Sequence, residues 1–308
     1  MAPINQIVSR QTRNQLNELK DGPGLMYLAY HLGVMGTTGY LLYLSLGTWW
    51  VVLAMLVHGY VITALFAPFH ETAHSNAFKS RWLNESVFWA SGVATFYMKT
   101  IFRLEHMAHH AHTQDLEKDP QRILMAETFW GYVYYASAIP SLQLKAWRLI
   151  FHPFGRISEG EKTYFPEDRI PDVQRDAWAY WSVYALVIAV SVYFQSWAAL
   201  IYWFIPCLVG EPFQRMIRIS EHTGCELEPD MFKNTRTMLT IAPLRWLNWN
   251  MPLHVEHHAI SSVPFHALPR LHKELAAHLV HVSKGYMAGH LDVVRFTLDG
   301  IRNPRSTA

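Results

Sequence analysis

With 308 residues, 51% of them apolar and 16% charged, the chain has the composition of a membrane protein once its apolar residues are seen to be clustered. A net charge of +2 is too small to imply a nucleic-acid partner, and two cysteines, Cys207 and Cys225, give neither a disulfide framework nor thiolate metal spacing. Histidine is in excess, at 18 residues.

Residues 1–23 are polar, carry Arg10, Arg13 and Lys20, and read as a cytoplasmic amphipathic helix closed by Gly22-Pro23-Gly24. Residues 25–46 contain no Asp, Glu, Lys or Arg and can cross about 30 Å of hydrocarbon. Gly47-Thr48 turns the chain into a second such span, 49–69, which contains His58. A polar stretch follows, then an apolar segment from Ser86 to Ile101 that is too short to span and reads as a surface helix. After the charged loop 115–120, the aromatic stretch from Trp130 to Leu144 is interrupted by Pro140 and reads as interfacial. Spans 177–194 and 197–217 form a second hairpin with Gln195-Ser196 at its tip.

The expected architecture is all-α: one domain over residues 1–308, four transmembrane helices in two hairpins, and a helical cap from 70–176 and 218–308. Neither hairpin tip holds Lys or Arg, and every basic residue lies with the cap and termini. The positive-inside rule then puts the cap on the cytoplasmic face, as for a bacterial inner-membrane protein.

Three histidine clusters fall in that cap: His70-Glu71-Thr72-Ala73-His74, His106-Met107-Ala108-His109-His110 and His254-Val255-Glu256-His257-His258. On a helix, residues three and four apart share a face, so each cluster can aim its imidazoles at one point. One cluster would be weak evidence of a site. Three clusters, with eight histidines and no thiolate among them, suit two metal ions held by neutral nitrogen. His222, at the cap end of the last span, is a further candidate. Glu71, Glu105, Glu221 and Glu256 adjoin candidate ligands and can fix an imidazole tautomer, while His112 is a candidate for the substrate side.

The boxes HETAH, HMAHH and HVEHH, with their order, spacing and paired hairpins, make the chain resemble the membrane fatty acid desaturase and hydroxylase superfamily. The stretches HMAHHAHTQD and HVEHHAISSVPFHALP are similar to bacterial members termed desaturase or hydrocarbon oxygenase. The resemblance implies a di-iron centre on His70, His74, His106, His109, His110, His254, His257 and His258, with His222 as an extra ligand. In animal acyl-CoA desaturases an Asn stands four residues before that last histidine; here the position is Arg218.

The implied activity is O2-dependent oxidation of unactivated C–H bonds in a fatty acyl chain or related lipid, by desaturation or hydroxylation. Oxidative decarboxylation of a free fatty acid to a terminal alkene is the alternative, and a zinc-dependent hydrolase or a metal transporter stands outside oxygen chemistry. Zinc can also replace iron during purification. No redox carrier is encoded: His152-Pro153-Phe154-Gly155 departs from the cytochrome b5 motif, and no iron–sulfur spacing occurs. A separate ferredoxin, rubredoxin or cytochrome with its reductase is therefore expected, docking on Arg81, Lys99, Arg103, Arg236 and Arg245. Phe66, Phe69, Trp89, Phe96, Trp203 and Phe213 are candidates to line the groove for the alkyl chain.

Overall fold

A computed structural model describes residues 4–302. Two short helices, α1 (Ile4–Ile7) and α2 (Arg10–Leu16), precede α3 (Asp21–Ser45). The single N-terminal helix expected from the sequence is thus divided, and Gly22-Pro23-Gly24 opens α3 instead of closing a helix. Proline is tolerated there because first-turn N–H groups have no intrahelical partner. Asp21 accepts hydrogen bonds from the Ser80 backbone N–H (2.8 Å) and hydroxyl (2.6 Å). A Cβ on Gly24 would lie 2.4 Å from the Phe78 ring, so these residues seat the start of α3 on the cap.

Gly47, at φ +80°, turns α3 into α4 (Val51–Thr63) and α5 (Phe66–Ala73). These two run on as an apolar stretch, Val51–Ala73, the one helix among the described residues that is long and apolar enough to cross a membrane by length and composition. His58 is fully satisfied within it: Nδ1 pairs with the Thr38 hydroxyl at 2.8 Å and Nε2 with the Tyr202 carbonyl at 3.0 Å.

The cap begins with α6 (Arg81–Thr95) and α7 (Lys99–His112), separated where Phe96 takes a left-handed φ of 61°. The Asp176 carboxylate accepts from the Thr100 N–H at 3.0 Å, satisfying a first-turn donor of α7 and fixing where that helix starts. The aromatic stretch is indeed broken, into α8 (Phe129–Ala136) and α9 (Ile139–Phe151), with Pro140 in the first turn of α9. The small helix α10 (Glu159–Lys162) has a reciprocal Ser158–Glu161 cap, and α11 (Ile170–Tyr193) starts seven residues before the expected span.

At the second tip Gln195 has φ +49°, and the returning chain passes through a π-helical turn, Leu200–Phe204, into α12 (Ile205–His222). Helices α4 and α12 approach backbone to backbone at Gly59 and Gly210, and the Thr63 hydroxyl donates to the carbonyls of both, at 2.9 and 3.3 Å. Beyond α12 lie α13 (Met231–Asn234), β1 (Arg236–Met238), α14 (Ala242–Leu247), α15 (His254–Ala259), α16 (Leu268–Leu275), β2 (His281–Ser283) and α17 (Tyr286–Arg302). The strands pair in parallel, Thr237 opposite Val282, a small addition to an otherwise helical fold. The core beneath the histidines is aromatic: Phe69 lies 4.6 Å, ring to ring, from both Phe88 and Phe102, and Trp249 lies 4.6 Å from Phe265.

Candidate metal centre

Four helices deliver the clustered histidines to one place. The end of α5 carries His70 and His74, α7 carries His106, His109 and His110, α12 ends on His222, and α15 carries His254, His257 and His258. They gather into two sets. Ligand nitrogens of His70, His74, His106, His110 and His257 all lie within 4.8 Å of one another, as do those of His109, His222 and His258. His254 joins the second set, with Nε2 3.1 Å from His222 Nε2. Each of the second and third clusters is split between the sets: on the shared face, the i+3 histidine stands about 100° round the helix from the i+4 histidine, so His109 and His257 reach the set opposite to their neighbours.

The nitrogen geometry fits shared metal ions and not a hydrogen-bond chain. His106 Nε2 lies 3.0 Å from His74 Nε2 and 3.1 Å from His110 Nε2, and His110 Nε2 is also 3.1 Å from His257 Nε2. One ring nitrogen has one in-plane lone pair or one N–H, so it cannot satisfy two such partners. Nitrogens bound about 2.1 Å from one ion at right angles would lie about 3 Å apart, which is the separation seen. Buried Nε2 atoms of His70 and His258 have no protein partner, as expected of ligand positions. Burial, and the cost of charging one imidazole beside another, push His106, His110, His254, His257 and His258 well below the usual histidine range, and burial brings His74 and His222 to about 3. These seven imidazoles are therefore neutral at physiological pH, the form that binds metal.

The opposite ring nitrogens are held by a set of partners that the sequence only partly indicated. His70 Nδ1–H donates to Glu71 at 3.0 Å, as its adjacency suggested. His109 Nδ1–H donates to Asp119 at 2.8 Å, and His106 Nδ1–H to the Gln121 side-chain oxygen at 3.1 Å. His222 Nδ1–H reaches the Asn234 carbonyl at 3.1 Å, and His258 Nδ1–H the Thr113 hydroxyl at 3.2 Å. Asp119 is the chief omission from the sequence reading. It stands ten residues beyond its histidine in a charged loop, where no local spacing marks it. Burial alone would raise its carboxyl, but the bonds from His109 and from the backbone of Gln114 and Gln121 hold it below the usual range.

Several sequence candidates do something else. His112 is exposed and turned away from both sets. Glu105 accepts from Arg148 at 3.2 Å, and Glu256 from Thr237 at 2.6 Å and from His272. Glu256 sits between two box histidines in the chain, yet one helical step of about 100° turns it away from them. Glu221 approaches His254 only to 3.7 Å; burial raises its carboxyl to about 7, opposed by Arg218 and Arg215. Among the docking candidates, Arg236 is buried and caps the end of α12 through the carbonyls of Ser220 (2.5 Å) and Thr223 (3.2 Å). Lys99 and Arg103 both pair with Glu85, at 3.1 and 2.7 Å, leaving Arg81 exposed and Arg245 half-buried.

A cavity of about 150 Å³ reaches both sets; His70 and His106 lie on its wall, as do His109, His222, Phe66 and Arg218. Phe69 is fully buried in the aromatic core. Phe96 and Trp203 line a separate apolar cavity between α11 and the π-helical turn. Phe213 lines an apolar groove shared with Tyr60 and Tyr286.

Fold and site together define a helical enzyme with an all-histidine centre able to hold metal, in an apolar scaffold suited to lipid. The sequence pattern of the fatty acid desaturase family matches residues 47–289, and the chain belongs to that family. It is also similar to an sn-1 oleoyl-lipid 12-desaturase of Anabaena variabilis, 22% identical over 246 residues, which are 73% of this chain and 69% of that protein.

Proposed function

We propose that this protein is an O2-dependent di-iron oxidoreductase that desaturates or hydroxylates a fatty acyl chain at the cytoplasmic face of a membrane. One observation carries the reading: nine histidines from four helices converge as two adjoining, all-nitrogen sets beside one cavity. Imidazole donors suit iron, whereas oxygen-preferring ions such as magnesium and calcium favour carboxylates. Bound iron would supply the activation of O2 that breaking a saturated C–H bond demands.

The protein's own residues supply position and dryness. Glu71, Asp119, Gln121 and Thr113 hold the rings in one tautomer, and the Phe69–Phe88–Phe102 core closes the floor of the site against water. In desaturation two hydrogens, as two protons and two electrons, leave adjacent carbons. A separate donor protein adds two electrons, with two further protons from solvent, and O2 leaves as two waters. The membrane setting is supported by exposed apolar side chains concentrated on the two hairpins, among them Leu41, Trp49, Leu53, Leu186, Val192 and Trp197.

The test combines metal analysis, oxygen uptake with a reducing system, and mass spectrometry of lipids from cells with and without the gene. Iron-dependent oxygen uptake coupled to an altered acyl product is expected. Iron-loaded protein that leaves every acyl substrate unchanged would end the reading.

A further inference from the structure

Arg218, half-buried, differs from three other shielded arginines in its lack of a carboxylate partner. Arg148 is paired with Glu105 and Glu161, Arg215 with Glu211, and Arg122 with Glu127. Among the described residues no carboxylate lies within ion-pair distance of Arg218, although Glu221, whose charged form it favours, shares the cavity wall with it, as do Asp119, Glu127, His70, His106, His109 and His222. Its one hydrogen bond to protein runs from Nη2 to the Gln121 side-chain oxygen at 3.2 Å, and that same oxygen accepts from His106 Nδ1–H at 3.1 Å. Its Nε is buried without a partner, and the guanidinium lies 4.8 Å from the centre of the Phe66 ring. Phe66 and Gln121 therefore hold the group in place, while its remaining donors are left for something in the cavity.

A guanidinium with a buried, unpartnered Nε and further unused donors can receive an anion, and its planar fork matches a carboxylate through two parallel hydrogen bonds. Two metal ions held by neutral imidazoles would deepen the need for negative charge. We propose, resting on the acyl-oxidising function above, that Arg218 receives the carboxylate of a free fatty acid inside the cavity. One oxygen atom, that of Gln121, separates the guanidinium from a candidate metal ligand. The carbons brought to the centre are then the first few of the chain, and the alkyl tail points away. Oxidation falls at carbon 2 or 3, as hydroxylation, as a 2,3 double bond, or as loss of hydrogen from carbon 3 with departure of the carboxyl group as CO2. In hydroxylation one oxygen atom of O2 enters the C–H bond, and the other leaves as water with two electrons from a separate donor protein and two protons. In the last two the acid itself gives up two electrons and two protons, and O2 with two electrons from the donor and two protons from solvent leaves as two waters. A phosphoryl head group offers similar chemistry, but one fork and a cavity of about 150 Å³ favour the smaller planar anion.

The test uses the full chain in nanodiscs, with dodecanoate, methyl dodecanoate and dodecyl phosphate competing against a fluorescent fatty acid. Wild type is expected to bind dodecanoate at least tenfold more tightly than the ester and more tightly than the phosphate. Arg218→Gln is expected to erase that preference and Arg218→Lys to keep part of it, while Arg81→Gln, on the exposed surface, leaves it unchanged. Equal binding of acid and ester by wild type, a stronger preference for the phosphate, or a preference that survives in Arg218→Gln would each overturn the proposal. With iron, O2 and a reducing system, products altered at carbons 1 to 3 support it, and a mid-chain double bond overturns it while leaving the desaturase reading intact. Acid selectivity that depends on Arg218, with no oxidation of any acyl substrate, would uphold the carboxylate site and refute the proposed reaction.

Discussion

A Cβ placed on Gly210 would lie 2.1 Å from the carbonyl oxygen of Gly59, so the two glycines bring α4 and α12 into backbone contact. Small residues at such a crossing let helices gain dispersion contact and weak polar contact that any side chain would prevent. The same two helices lead directly to His70 and to His222. Gly210→Val is therefore expected to separate them and to lower both thermal stability and bound metal. Gly36→Ala, whose added carbon meets nothing within 4 Å, is expected to leave both near wild type. Metal content and melting temperature of the purified variants check this; a wild-type Gly210→Val protein would contradict it.

Asp119 orients His109 through a 2.8 Å bond from a fully shielded carboxylate. Losing a partner that orients a ligand typically costs about 10–100-fold in metal affinity. Asp119→Ala is expected to fall in that range by competition with a metal indicator, while His112→Ala, outside the site, is expected to show no change.

Phe69 is a matter of stability and not of chain-length choice. It is fully buried against Phe88 and Phe102, and truncating such a ring costs about 3–5 kcal/mol. Phe69→Ala is expected to melt well below wild type and, where it still folds, to keep the wild-type range of acyl lengths. A shift in length preference with unchanged stability would show that Phe69 reads the chain.

Glu161 connects α10 to the rest of the cap through Arg148 (2.8 Å) and His152 (3.3 Å). Burial opposes its ionisation, but His152 and Arg148 prevail and bring the carboxyl to about 2 from an ordinary 4.5. A depressed carboxylate contributes stability that is present above pH 4.5 and lost as pH falls towards 2. Wild type is thus expected to lose melting temperature between pH 5 and pH 3, and Glu161→Gln to lose less over the same interval. Parallel curves for the two proteins would deny the ion pair that role.

Orientation in the membrane has its own test. A reporter inserted after Thr48 or Ser196 is expected to be external and one placed after Ala308 cytoplasmic. A cytoplasmic signal from either tip would reverse the assignment.

The sequence was most legible where chemistry repeats at helical spacing. Nine histidines named from spacing and resemblance are the nine that the fold gathers, because i, i+3 and i+4 positions share a helix face whatever lies beyond. The hairpin turns at Gly47 and Gln195 and the break before Pro140 were also readable, since each depends on local backbone chemistry. Partners supplied across loops were not. Asp119, Gln121 and the Asn234 carbonyl reach their histidines only through tertiary folding, while Glu256 had the right neighbours in the chain and the wrong face of the helix. The start of α3 was misread for a different reason: Gly-Pro-Gly breaks a helix from inside but can begin one, and only the contact of Gly24 with Phe78 decides which.

The division of the histidine clusters between the two sets has a consequence for how the protein is made. His70, His74, His106 and His110, four members of the larger set, have all been synthesised by residue 110. Of the smaller set only His109 has, and His222, His254 and His258 wait for the last third of the chain. During synthesis the larger set can begin to gather from the first hairpin and α7 alone, while the smaller is incomplete until α15 has been made. His257 then completes the larger set, and its neighbours His254 and His258 the smaller. Both sets thus depend on the same short helix, α15, for their last members.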